Sequence, residues 1–599
     1  RVSRDEFRYF FILKEEKEMG RNRFRIGLSV ALFSLVLSGC NSNDGMTADT
    51  SSVGDVQQTE VSEKSNEVTI RETEFGKVQG VSEDGVYKWL GVPYGGDTSG
   101  ENRWQAPTDP EEWAGILDTT KPGDIALQLS ADGAVGSESA LNLDIYRPEN
   151  EKEDLPVLVF IHGGNNQTGK AQEISGSSFA RNQDAIVVSV NYRLGALGFN
   201  PLPALKTGTE EENSGNYTML DLEKSLTWIR ENIENFGGDS NNVTVSGFSA
   251  GGRDVMAMLI SPLFEGKFDK AISFSGCMTI ADEDNSQEVF AQAIAPLVVE
   301  DGLKGTEEEA REWLLEDNPE VKDYLFGLEG DRLVSLMGNA GIRMSVFPHL
   351  YKDGTVIPEE GFATENYNEV PLLMLTGGNE FSLFGRFDPY FGKYIADGSI
   401  DTDENIAAQY DFVNQYGGQL YSLFNLEESA ESMKDQYDAP IYGMEINFGE
   451  DVDVVGEVMA KFGSFHGVFV PLLATDNQNY AALVGEAYTS EGAIELSEWF
   501  QTYIYQFIKN GDPNSDTLPE WTEWTEENRD ILFMNADQSN ATAEIGQNNF
   551  TYEDVLNAID EDTTISQEEK EALLTQVLNG RWFSGRLDEK YGNTSNFYE

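Results

Sequence analysis

Ser249 stands at the centre of Gly247-Phe248-Ser249-Ala250-Gly251, directly after the β-branched run Val243-Thr244-Val245 and directly before Val255-Met256-Ala257-Met258-Leu259-Ile260. The pattern predicts a strand, a sharp turn and a helix, with the serine at the apex. A serine hydroxyl is a weak nucleophile at neutral pH. It must meet a base and sit beside backbone N–H groups able to hold an oxyanion. An apex supplies that exposure, and small residues on both sides let strand and helix pass close without a Cβ clash. The pentapeptide alone is a weak signal, because 58 of 599 residues are glycine and G-x-S-x-G also arises by chance in loops.

Context strengthens it. Leu155-Pro156-Val157-Leu158-Val159-Phe160-Ile161 reads as a buried strand running into His162-Gly163-Gly164-Asn165, and Ala185-Ile186-Val187-Val188-Ser189-Val190 as a second. A helix is expected from Thr218 to Asn235, with the paired glycines Gly237-Gly238 suited to a left-handed cap. Such alternation predicts an α/β fold with a mostly parallel central sheet and helices on both faces, and the strand–turn–helix at Ser249 points to the α/β-hydrolase fold. That fold orders its triad Ser, then Asp or Glu, then His along the chain. Of the three histidines, His162 precedes the serine and has a structural reading; His349, beside the Asp353-Gly354 turn, reads as a surface or turn residue. His466 comes last, in Gly463-Ser464-Phe465-His466-Gly467. For the acid, Val370-Pro371-Leu372-Leu373-Met374-Leu375 reads as a strand ending in Thr376-Gly377-Gly378-Asn379-Glu380. A carboxylate at that strand end can hold the histidine tautomer and stabilise the imidazolium.

The chain resembles the type-B carboxylesterases, the group containing cholinesterases, fungal lipases and bacterial esterases, from about residue 68 onward. The resemblance is carried by Trp89-Leu90-Gly91-Val92-Pro93-Tyr94, Arg103-Trp104-Gln105-Ala106-Pro107, Leu141 to Tyr146, the His162-Gly163-Gly164 strand end, Asn191 to Phe199, Gly215 to Asp221, Asn235 to Asp239, the serine pentapeptide and Gly511-Asp512-Pro513-Asn514. It implies a carboxylic ester hydrolase acting through an acyl-enzyme, with Ser249 as nucleophile, His466 in the family's His-Gly loop as base and Glu380 as acid. It implies an oxyanion hole at Gly164, Asn165 and Ala250, an ester as the only small-molecule partner, and no cofactor. Two other readings stand beside it: a lipase or aromatic-ester hydrolase within the same chemistry, and a binding protein with a dead triad.

Three positions depart from the family pattern. Asn165 replaces the usual Gly or Ala, Phe248 the usual Glu, and Asp254 the usual Ser. Asn tolerates unusual backbone angles, so the hole is expected to survive. The half-cystines of the family's first bridge correspond to Ala126 and Ala140, and the loop between them, Leu127 to Ser139, lacks the tryptophan by which cholinesterases hold a quaternary ammonium. Phe381, Phe384, Phe387, Tyr390, Phe391 and Tyr394 follow Glu380; they read as core or lid packing or as an apolar pocket wall.

Only two cysteines occur. Cys277 reads as an inert core thiol. Cys40 follows a basic stretch from Met19 and an apolar run from Ile26 to Leu37, ending in Leu37-Ser38-Gly39-Cys40. That is the form of a bacterial lipoprotein signal (residues 19–40), too short to span a membrane. Residues 1–18 read as upstream sequence, 41–67 as a polar flexible tether, and 68–599 as the catalytic domain. The expected location is therefore the cell envelope, with Cys40 lipidated and Asn41 favouring the outer membrane. The net charge of −64 repels nucleic acid and favours a saline habitat, where repulsion is screened. Asp512, Asn514, Asp516 and Glu523 have calcium-loop spacing, but Thr517 replaces the required glycine, so no metal is expected. Oligomeric state is not legible.

Overall fold

A computed structural model describes residues 68–337 and 348–593. The signal, Cys40 and the tether all lie outside the described residues.

One sheet of eleven strands organises the chain. In chain order these are β1 (Val81–Glu83), β2 (Val86–Pro93), β3 (Asn142–Pro148), β4 (Leu155–Ile161), β5 (Ile186–Val190), β6 (Gly238–Phe248), β7 (Lys270–Phe274), β8 (Leu372–Gly377), β9 (Ile441–Ile446), β10 (Ile531–Ala536) and β11 (Ala541–Gly546). Their spatial order is β11-β10-β9-β8-β7-β6-β4-β5-β3-β2-β1. The strands from β5 across to β10 pair in parallel, and antiparallel strands close both edges. Every residue of β4, β5, β7 and β8 is buried. Strands covered on both faces need continuous rather than alternating hydrophobicity, which is why these runs are legible in the sequence. The chain reverses direction across the sheet at β4, with β5 on one side and β6 on the other. Parallel sheets leave a crevice beyond the carboxyl ends of the strands at such a switch point.

The helix before β6, α1 (Tyr217–Asn232), continues as a 3₁₀ turn to Phe236 and ends at Gly237 with φ 87°. Gly237 alone is the left-handed cap; Gly238 already opens β6. Within α1, Asp221 receives both Arg193 Nη2 and Nε at 2.7 and 2.8 Å, a buried two-pronged ion pair that ties the loop after β5 to the helix. The segment beyond β11 folds into helices on the apolar cluster around Phe381, Tyr421 and Trp582. One of them, α5 when α2 (Ala250–Ile260), α3 (Glu404–Asn425) and α4 (Glu491–Asn510) are counted, runs Gln567–Gln576 and opens with a reciprocal box between Ser566 and Glu569.

The turn at 512–523 uses Asn514 internally: its side chain donates to the Trp521 carbonyl and accepts from the Trp521 N–H. Ala126 and Ala140 are both buried against the same small apolar cavity, beside Leu127, Leu141 and Leu194. The intervening segment is a short hairpin, Gln128–Ser130 with Gly133–Val135.

Several carboxyls are buried or half-buried in this fold. Desolvation raises Glu173, Asp254 and Glu445 to about 7 and Glu427 to about 8. Their folded values lie above their unfolded ones, so the folded state binds the extra protons and stability rises as pH falls through the folded values. Each is worth about 1 kcal/mol or somewhat more between pH 8.5 and 6.5. His162, lowered to about 4, and His349, held far below its ordinary value, are neutral in the fold by desolvation. They oppose the trend only below about pH 6.5, where the unfolded chain protonates them. The melting temperature should therefore rise by several degrees from pH 8.5 to pH 6.5 at constant ionic strength, by differential scanning calorimetry. A flat or falling profile across that window would contradict these burials.

Candidate active site

Ser249 lies between β6 and α2 with φ 57° and ψ −119°, a conformation that side chains rarely adopt. Its N–H donates to the Phe274 carbonyl at 2.9 Å, and its carbonyl accepts from the Arg253 N–H at 3.0 Å. Close approach explains the flanking glycines. A Cβ on Gly247 would come 2.1 Å from the Gly251 carbonyl oxygen, and one on Gly251 would come 2.3 Å from that of Ile161 at the end of β4. The sharp turn predicted around Ser249 is present.

Glu380 and His466 meet. His466 Nδ1 donates to Glu380 Oε2 at 2.5 Å, and the carboxylate is fully buried. Oε1 of Glu380 accepts from Ser275 Oγ at 2.6 Å, from the Gly377 N–H at 2.7 Å and from Thr376 Oγ1 at 3.3 Å. Asn379 clamps the two loops together, receiving the Ser464 N–H at 3.0 Å and donating its own N–H to the Ser464 carbonyl at 3.0 Å. The imidazole sits among the rings of Phe248 (4.8 Å), Phe384 (5.0 Å) and Tyr421 (5.6 Å), and its Nε2 makes no hydrogen bond among the described residues. Phe248 is therefore a direct neighbour of both the serine and the histidine. In the aromatic run after Glu380, Phe381 and Phe391 are buried in the core, while Phe384 reaches the imidazole.

The loop after β4 passes the same point. A Cβ on Gly163 would lie 3.1 Å from Ser249 Cβ. Gly163 donates its N–H to buried Glu173 at 2.8 Å. Gly164 has φ 99°, and Asn165 and Asn166 have φ 56° and 52°. Ala250, the first residue of α2, has an N–H with no acceptor inside the helix. His162 stacks on Tyr192 at 4.4 Å, in keeping with a structural role. Cys277 is buried, and desolvation pushes its thiol up to about 12.

His349 corrects the sequence reading. It is not at the surface: it is 2 % exposed, and its Nε2 donates to the Asn165 carbonyl at 2.9 Å. A short stretch after Pro348 beside a turn gave no periodicity from which burial could be read, and the partner is 184 residues away in sequence. Sequence reasoning also missed Ser275 and Glu173. Ser275 was the findable one, because it follows β7 directly, as Ser249 follows the neighbouring β6.

A family model described as the carboxylesterase family matches residues 66–441. The para-nitrobenzyl esterase of Bacillus subtilis (strain 168) is 28% identical over 492 residues, covering 78% of this chain and 94% of its own. Liver carboxylesterase 1 of Oryctolagus cuniculus is 28% identical over 518 residues, covering 75% and 87%. Among solved structures, a PNB esterase superposes with a TM-score of 0.62 at 27% identity over 80% of this chain and 97% of its own. A thermophilic PNB esterase gives 0.64 at 26% identity over 81% and 99%. With its parallel sheet, strained serine turn and buried carboxylate–imidazole pair, this chain belongs to the carboxylesterase family and is a carboxylic ester hydrolase on an α/β-hydrolase fold.

Proposed function

We propose that Ser249, His466 and Glu380 form the catalytic triad of this esterase, with Gly164, Asn165 and Ala250 as its oxyanion hole. The observation that supports this best is the 2.5 Å bond between His466 and a fully buried Glu380, beside a serine held on the sheet's carboxyl edge. Ser249 Oγ attacks the ester carbonyl while His466 Nε2 takes the hydroxyl proton. Glu380 fixes the Nδ1–H tautomer and stabilises the imidazolium. The three backbone N–H groups hold the oxygen that becomes negative. His466 then gives its proton to the departing alcohol, leaving an acyl-Ser249. Water, activated by the same imidazole, releases the carboxylic acid and restores the serine.

The ring of Phe248 replaces a carboxylate that would have charged the pocket, and no aromatic side chain lies between Leu127 and Ser139. Both features favour uncharged acyl and alcohol groups over choline esters, which need an aromatic face for the cation. A fluorophosphonate probe should label Ser249, seen by peptide mass spectrometry. Ser249→Ala should abolish the label and lower kcat by roughly four orders of magnitude or more, at an unchanged melting temperature. A neutral isostere of acetylcholine should have the higher kcat/KM. Ester turnover retained in Ser249→Ala would refute the triad, and a preference for acetylcholine would refute the pocket assignment.

We further propose that Cys40 is acylated and that the tether from Asn41 to Glu67 carries the enzyme on a bacterial envelope membrane. The basic segment, the twelve-residue apolar run and Leu37-Ser38-Gly39-Cys40 support this reading. Cys40→Ser should release the enzyme from the membrane fraction of expressing cells. Intact-mass measurement of membrane-extracted enzyme should show the added lipid, and an unmodified mass would overturn the proposal.

A further inference from the structure

Two adjacent residues near the start of α2, Arg253 and Asp254, connect to two adjacent residues of the loop after β4, Asp254 directly to the Asn166 side chain and Arg253 through His349 to the Asn165 carbonyl. Both side chains are fully buried. Asp254 Oδ1 accepts from Asn166 Nδ2 at 2.7 Å. The Arg253 guanidinium contacts His349 Nδ1 at 3.4 Å, and His349 Nε2 in turn holds the Asn165 carbonyl at 2.9 Å. The guanidinium is itself fixed, donating to the Thr279 carbonyl at 3.1 Å and lying 4.3 Å from the ring of Trp582. Consecutive helix residues point about 100° apart, so one turn of α2 grips the loop from two sides.

The loop needs holding. Asn165 and Asn166 are successive non-glycine residues with positive φ, a run that persists only where the surroundings over-determine it. Backbone bonds supply part of this: the Gly195 N–H donates to the Asn166 carbonyl at 2.6 Å. The side-chain bridges do something different. They tie the loop that presents Gly164 and Asn165 to the helix that presents Ala250, so they set the spacing between donors lying on two separate elements. Oxyanion donors act only within about 2.7–3.1 Å of the developing charge, and that spacing decides whether all three reach it together.

We propose that Asp254, through Asn166, and Arg253, through His349 and Asn165, are positioning residues that brace the oxyanion loop onto the nucleophile helix. The proposal rests on the oxyanion hole assigned above. It makes two of the departures from the family pattern, Asn165 and Asp254, parts of one device, since Asp254 holds the residue that directly follows Asn165. None of the four bracing side chains is assigned contact with the ester.

The test compares the full chain with Asp254→Leu, which removes the acceptor, Asp254→Asn, which keeps an acceptor oxygen for Asn166, and Asn166→Gly, which keeps the positive φ without the side chain. The readouts are kcat and KM for p-nitrophenyl acetate and the inhibition constant of an alkyl trifluoromethyl ketone, whose adduct carries the oxyanion. Displacing donors by a fraction of an ångström should lower kcat by about 10- to 100-fold and weaken the ketone by a similar factor, with KM within about twofold. Asp254→Leu and Asn166→Gly should both behave so, their double mutant no worse than the poorer single, and Asp254→Asn should recover most of the activity. Should Asp254→Leu fail to fold, Asn166→Gly tests the brace by itself. Wild-type kcat and ketone affinity in the folded variants would overturn the brace, as would losses confined to KM or a loss in Asp254→Asn equal to that in Asp254→Leu. Absence of a fluorophosphonate label on Ser249 in the unmutated enzyme would instead defeat the proposed triad, so the two failures are distinguishable.

Discussion

The site depends on one steric constraint, the contact between the start of α2 and the ends of β4 and β6. Ser249 can hold φ 57° and ψ −119° only because the helix lies against the strands on both sides of it. It lies there only because positions 247 and 251 carry no Cβ. A conformation of this kind costs of the order of 1–3 kcal/mol, which the buried sheet around it has to offset. The return is geometric. The same turn sets the serine between strand and helix, places the Ala250 N–H at a helix start, and brings Gly163 against the serine from the neighbouring strand.

From that contact the remaining parts follow by register. Phe248 pairs with Phe274, and Phe274 with Leu375, so the residues just beyond β6, β7 and β8 emerge at one edge. Ser249, Ser275 and Glu380 are three consecutive outcomes of that alignment. His466 comes from a loop beyond β9, and the Asn379–Ser464 bonds bring it to Glu380. The imidazole is surrounded by rings, so water is kept from the Glu380 bond and its strength is not diluted by a high local dielectric.

What could be read in the residues alone divides along physical lines. Buried parallel strands such as Leu155–Ile161 and Ile186–Val190 announce themselves because full burial demands unbroken apolar runs. The serine turn was legible because its glycines answer to a steric need close in sequence, and Glu380 because it follows such a strand. His349 was misread, and Glu173 and Ser275 were passed over. Their roles are side-chain hydrogen bonds, spanning 184 residues for His349, 105 for Ser275 and 10 for Glu173, and no local periodicity records any of them. The same holds for the segment beyond β11. There the stacking of Trp582 against Arg253 joins residues far apart in the chain, which no local pattern records.

If Ser249, His466 and the three N–H groups converge on one reacting carbonyl, a crystal structure of the full chain inactivated by a small alkyl phosphonate will display that convergence. Phosphorus should be bonded to Ser249 Oγ, with one phosphonyl oxygen about 2.7–3.1 Å from the Gly164, Asn165 and Ala250 nitrogens and His466 Nε2 facing the leaving-group position. A phosphonate on another residue would contradict the assignment. So would an adduct on Ser249 whose oxygen points away from those three nitrogens.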